Sequence, residues 1–100
     1  MANFRRVAGT ADLAAGACTT VEIDGKQIAL YNVDGTFYAL DNECPHRGGP
    51  LGEGELDGCL VTCPWHSWQF DVTNGESQTD DLKVATYEVK VEGDAVLVAV

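Results

Sequence analysis

This chain reads as an all-β domain, a small antiparallel sandwich or barrel. Three observations predict it: turn signals are frequent and regular, Asp-Gly pairs fall between alternating apolar segments, and the strongest periodicity is two rather than helical. The first hairpin joins residues 20–23 to 27–33 through Asp24-Gly25, and the second continues through Asp34-Gly35 into 36–40. Asp-Gly suits a type I′ turn because both central positions need positive φ. The last hairpin runs over 86–92, turns at Gly93-Asp94 and returns over 95–100. Within it Tyr87, Val89 and Val91 are expected on the buried face, with Glu88, Lys90 and Glu92 facing solvent. Residues 10–15 alone suggest a helical turn, capped by Thr10 or Asp12. Between the second and third hairpins, about residues 43–72 form a loop-rich excursion crowded by Gly48, Gly49, Gly52, Gly54 and Gly58.

The whole chain sets limits on function. One hundred residues make a single domain over 1–100, with no room for a catalytic domain beside a binding domain. Sixteen acidic residues against six basic ones give a net charge of −10, the opposite of what a nucleic-acid binder needs. Acidic residues gather at Glu53, Glu55 and Asp57, and again at Asp71, Glu76, Asp80 and Asp81, which suits electrostatic steering onto a basic partner. No run approaches a membrane span, and the two arginines near the start have no apolar stretch behind them. A cytoplasmic monomer with no membrane and no nucleic-acid partner is the expectation. Cys18 and Cys59 lie in strand-like surroundings and are expected as free, buried, small apolar groups, without a disulfide between them.

The most specific signal is a pair of short motifs. Cys44-Pro45-His46 and Cys63-Pro64-Trp65-His66 each bring one thiolate and one imidazole donor, with sixteen residues between His46 and Cys63. A zinc finger usually takes its cysteines as one pair and its histidines as another. One of each per loop suits two metal atoms, both cysteines on one iron and both histidines on the second, as in a Rieske [2Fe–2S] centre. Glycines in the excursion would let the backbone turn tightly and approach inorganic sulfur.

Around these donors, Cys44-Pro45-His46-Arg47-Gly48-Gly49-Pro50-Leu51 and Cys63-Pro64-Trp65-His66-Ser67-Trp68-Gln69-Phe70-Asp71 resemble the two ligand loops of Rieske proteins. The strong match spans about residues 41–75, and the β-rich flanks suit a small Rieske ferredoxin. The resemblance implies a fold of the Rieske iron–sulfur type with a two-loop cluster-binding subdomain over about 43–72. It implies one [2Fe–2S] cluster, with Cys44 and Cys63 on one iron and His46 and His66 on the other. The ring edges of His46 and His66, bordered by Pro45, Arg47, Pro64 and Trp65, would then form the partner contact and the exit for the electron. Loss of a histidine-ligand proton would stabilise the oxidised form, so the potential would fall at alkaline pH.

High-potential Rieske proteins of respiratory complexes differ from this chain. They carry a disulfide between cysteines at the positions of Gly49 and Trp65, and serine and tyrosine hydroxyls at those of Trp68 and Phe70. Neither Trp68 nor Phe70 offers a hydroxyl, and Ser67 stands one place off, so the resemblance implies a low potential, near roughly −150 mV. Residues 76–82 contain no proline where the family has a proline-bearing covering loop, and a different cover is expected.

Function follows from inventory. Terminal oxygenases also need an iron held by two histidines and a carboxylate, and both histidines of this chain are already assigned. The expected role is therefore a soluble one-electron carrier, not an enzyme, similar to the ferredoxin components of bacterial ring-hydroxylating oxygenase systems. It would take electrons from a flavin-dependent reductase and pass them to a terminal oxygenase. The alternatives are a Rieske-type small subunit of an assimilatory nitrite reductase and, from another class, a zinc-stabilised interaction module.

Overall fold

The computed structural model describes residues 4–23, 25–43, 50–64, 68–78 and 83–99. Among these, ten strands form three antiparallel sheets: β1 (Phe4–Gly9), β2 (Cys18–Ile23), β3 (Lys26–Val33), β4 (Thr36–Asp41), β5 (Glu55–Asp57), β6 (Leu60–Thr62), β7 (Gln69–Asp71), β8 (Thr86–Tyr87), β9 (Val89–Glu92) and β10 (Ala95–Ala99). A single 3₁₀ turn, Leu51–Glu53, precedes β5. The sheet orders are β1-β10-β9, β2-β3-β4-β8 and β5-β6-β7.

The middle sheet explains the arrangement. Ile28, Ala29, Leu30 and Tyr31 of β3 are all fully buried, so this strand is covered on both faces. Alternation then sorts its side chains. Ile28 and Leu30, with Phe37 and Ala39 of β4, pack against Val96 and Val98 of β10. Ala29 and Tyr31, with Leu40, pack against Val61, Phe70 and Val72 of the excursion. The excursion is thus a small sheet laid on the back of the middle one, and the expected all-β antiparallel class holds.

Both Asp-Gly hairpins form as expected. Ile23 pairs with Lys26 and Val33 with Thr36, leaving two-residue loops. Asp34 and Gly35 both take positive φ, +54° and +96°, as a type I′ turn demands.

Three expectations change. No helix forms over 10–15: the Asp12 carboxylate accepts the Gly9 N–H at 2.8 Å, and the segment is tied to β3 by Gly16 N–H to the Asn32 carbonyl at 2.8 Å. Buried Asn32 also donates through Nδ2 to the Leu13 carbonyl at 2.7 Å, and Thr10 N–H donates to the Asp94 carbonyl at 2.8 Å, so tertiary bonds take backbone groups a helix would use. The strand expected over 86–92 divides at Glu88. Tyr87 pairs with Ala39 in the middle sheet, while Val89 pairs with Val98 in the outer one, a strand switching sheets at a corner. Val91 is 47% exposed rather than buried, because β9 is an edge strand and its end lies beyond the core.

Candidate metal centre

The first ligand motif springs from a fixed stem. Beyond β4, Asn42 and Glu43 lead into residues 44–49, and the chain returns at Pro50, which pairs antiparallel with Glu43. Leu51 N–H donates to the Asn42 carbonyl at 2.8 Å and Gly52 N–H to Asn42 Oδ1 at 2.7 Å. The Thr20 hydroxyl of β2 donates to the same Oδ1 at 3.1 Å. From beneath, the buried Tyr31 hydroxyl donates to the Leu51 carbonyl at 3.1 Å. Burial pushes the Tyr31 phenol well above its ordinary range, and the nearby Cys18 and Cys63 thiols act in the same direction.

The second motif lies on a hairpin. Thr62 pairs with Gln69, and Cys63 N–H donates to the Trp68 carbonyl at 2.7 Å, closing the loop that carries residues 64–67. Cys63 is 1% exposed and belongs to the same buried cluster as Leu51, Tyr31 and Phe70. Both stems therefore rest on one core. Pro64 is exposed, and an open cleft of about 310 Å³ beside Cys63 and Pro64 is rimmed by Glu53 and Glu55.

Of the residues the sequence singles out, the structure describes Cys63 and Pro64; Cys44, Pro45, His46, Arg47, Trp65 and His66 lie outside the described residues, as do Gly48, Gly49, Ser67, Asp80 and Asp81. Phe70 is fully buried in the core and Trp68 half-buried beside it, so both act as apolar packing at positions where the high-potential proteins carry hydroxyls. Glu76–Gln78 run back along β7, with Gln78 N–H on the Gln69 carbonyl at 2.9 Å, and Glu76 pairs with Lys83. Of the proline-free segment over 76–82, residues 79–82 lie outside those described.

Two of the glycines have a different reason from the one expected. A Cβ on Gly52 would strike the Thr20 hydroxyl and lie 2.8 Å from the Thr19 carbonyl, and one on Gly54 would strike the Thr62 carbonyl. Gly52 lets the excursion lie close on β2, and Gly54 lets the chain pass close to β6 within it. Cys18 and Cys59 form no disulfide and are half-buried against the excursion's core. Burial pushes the Cys18 thiol up, and Sγ–H donates to the Gly54 carbonyl at 3.2 Å.

Asn42, Thr20 and Tyr31 escaped the sequence reading. Asn42 looks there like loop composition and Thr20 like one strand residue among many. Only Tyr31 carried a signal, since a tyrosine in a fully apolar run needs a partner for its hydroxyl.

The residues fit an iron–sulfur group. Two sulfur and two imidazole donors are the soft and intermediate ligands that iron accepts, and the one described donor, Cys63, stands at the buried end of a closed hairpin loop beside the other stem.

Comparison with known proteins bears on the same residues. Residues 3–90 match the family described as the Rieske [2Fe-2S] domain. The chain is 40% identical over 90 residues to the ferredoxin component of the naphthalene 1,2-dioxygenase/salicylate 5-hydroxylase systems of Ralstonia sp., covering 86% of this chain and 85% of that one. It superposes on the ferredoxin of carbazole 1,9a-dioxygenase from Nocardioides aromaticivorans IC177 with a TM-score of 0.91 at 31% identity, covering 97% of each. A chain in the complex of reduced oxygenase and oxidized ferredoxin in carbazole 1,9a-dioxygenase gives 0.90 at 31% identity, covering 96% of this chain and 92% of that one. A Mycobacterium tuberculosis protein named as an NADH-dependent nitrite reductase small subunit shares the fold, with a TM-score of 0.91 at 24% identity, covering 99% and 96%.

Proposed function

The chain belongs to the Rieske [2Fe–2S] domain family, and from that premise we propose that it is a one-electron carrier, drawing electrons from a flavin-dependent reductase and delivering them to a terminal ring-hydroxylating oxygenase. Cys44 and Cys63 hold one iron as thiolates, and His46 and His66 hold the other as neutral imidazoles. When bound, the cluster supplies a reversible one-electron couple, formally neutral when oxidised and singly negative when reduced.

The chain's own residues set the terms of that couple. Cys63 offers its sulfur from a buried floor packed with Phe70 and Trp68. Neither side chain carries a hydroxyl of the kind that the resemblance places there in high-potential Rieske proteins, which supports a potential near the lower Rieske range, roughly −150 mV. Pro64 is exposed; on this reading it would border the imidazole edges together with Pro45, Arg47 and Trp65, and the electron would leave there. The net charge of −10 favours fast encounter with basic partner surfaces in the cytoplasm.

The observation that carries this reading is the histidine inventory. The chain has two, one in each ligand motif, so no second iron site of two histidines and a carboxylate can be built from it. It relays electrons and does not transform an organic substrate. The ferredoxin relatives and the intact C-x-H and C-x-x-H motifs favour the carrier over a permanently bound nitrite reductase subunit, whose resemblance lies in fold alone. Rapid mixing tests it: a reduced sample should reoxidise on meeting a naphthalene-type terminal oxygenase in the presence of oxygen and the aromatic substrate. Co-elution with a sirohaem enzyme from native extract, with no transfer to the oxygenase, would establish the other role.

A further inference from the structure

We propose that Asn42 is a positioning residue, a clamp that fixes the stem of the first ligand loop and through it the seat of Cys44 and His46. The inference rests on the cluster assignment above. Asn42 stands two residues before Cys44 and is 9% exposed. Its main chain and side chain grip three separate segments. Its N–H donates to the Gln27 carbonyl at 3.1 Å, and its carbonyl accepts the Leu51 N–H at 2.8 Å. Its Oδ1 accepts both the Gly52 N–H at 2.7 Å and the Thr20 hydroxyl at 3.1 Å. One amide oxygen thus joins the outgoing arm of the loop to its returning arm, and both to β2.

The returning arm has no slack. Leu51 is fully buried, its carbonyl is held by the Tyr31 hydroxyl, and any side chain at Gly52 would collide with Thr20. A buried amide N–H whose acceptor is lost must find another or open towards water. Without Asn42 Oδ1 the Gly52 N–H would be left to water from the open cleft that Thr20, Asn42 and Gly52 line, and the returning arm would lose its side-chain tie to the outgoing arm and to β2. Asn42 acts through the stem: it fixes the ends, Glu43 and Pro50, between which residues 44–49 run.

The test uses the full chain with its cluster. Asn42→Ala should retain a β-rich circular dichroism spectrum and bind iron. It should show a broadened or shifted reduced-state paramagnetic resonance spectrum, and lose iron to a chelator about tenfold faster, a change of about 1.4 kcal/mol for the loss of both bonds to Oδ1. Asn42→Asp keeps the acceptor oxygen and should restore the rate and the line shape. If Asn42→Ala does not fold, Thr20→Val decides, since it removes one donor and should move both readouts in the same direction by less. A variant spectrum and iron-loss rate equal to the parent's would overturn the clamp, even if its melting temperature fell. A parent protein that shows no iron–sulfur spectrum would overturn the cluster assignment instead, so the two failures are distinguishable.

Discussion

Tyr31 concentrates the physics of the residue scale. Its ring fills the core beneath the excursion, and its hydroxyl reaches the Leu51 carbonyl, so one side chain bonds two sheets and a ligand-loop stem. Its phenol is held above the ordinary value of 10.0 by burial. The folded state therefore keeps a proton that the unfolded chain releases, and the linkage has a definite sign. The stabilisation is fully present below pH 10 and is lost as pH climbs beyond that value, by roughly 1 kcal/mol per pH unit. In Tyr31→Phe, urea midpoints should fall by the equivalent of about 1 kcal/mol at neutral pH and lose part of this alkaline slope. An unchanged slope above pH 10 would show that another group controls it. The sequence signals only that Tyr31, in the apolar run 28–31, needs a partner for its hydroxyl; which partner it finds is not legible there. The cysteines and histidines are legible because their chemistry depends on spacing along the chain, whereas Tyr31, Thr20 and Asn42 act on partners brought near by folding.

At the scale of elements, local chemistry decided what could be read. Asp34-Gly35 specifies its hairpin through the positive φ of both residues, and both hairpins keep the expected register, Ile23 with Lys26 and Val33 with Thr36. The period-two pattern over 86–92 runs unbroken through Glu88, so the switch from the middle sheet to the outer one leaves no mark in it. The turn over 10–17 owes its shape to Asn32, fifteen or more residues away, and its propensity for helix is overruled by those bonds. Burial separates strands that look alike in sequence. Phe70→Ala in β7 should cost roughly 3–5 kcal/mol, because the ring is fully enclosed between the excursion and the middle sheet. Val91→Thr on the edge strand β9 should change stability by less than about 0.5 kcal/mol. Equal losses measured by chemical denaturation would mean that the edge of β9 is covered in solution.

For the whole molecule, the three sheets serve one arrangement: a doubly buried middle sheet carries a small excursion on which two short loops stand on a common core. The surface charge governs how often this end meets a partner. With a net charge of −10, the second-order rate of electron delivery to a basic partner should fall as ionic strength rises from about 0.01 to 0.15 M and the screening length shrinks from about 30 to 8 Å. A rate indifferent to salt would place the docking energy in apolar contact instead. If two thiolates and two imidazoles of this chain hold one low-potential diiron cluster, paramagnetic resonance of the reduced protein, titrated against potential, should show it. One unpaired electron is expected for every two irons, coupled to nitrogen from two histidines and appearing at a midpoint below zero, near roughly −150 mV. A colourless, silent zinc protein, an iron signal without nitrogen coupling, or a midpoint above zero would contradict that assignment.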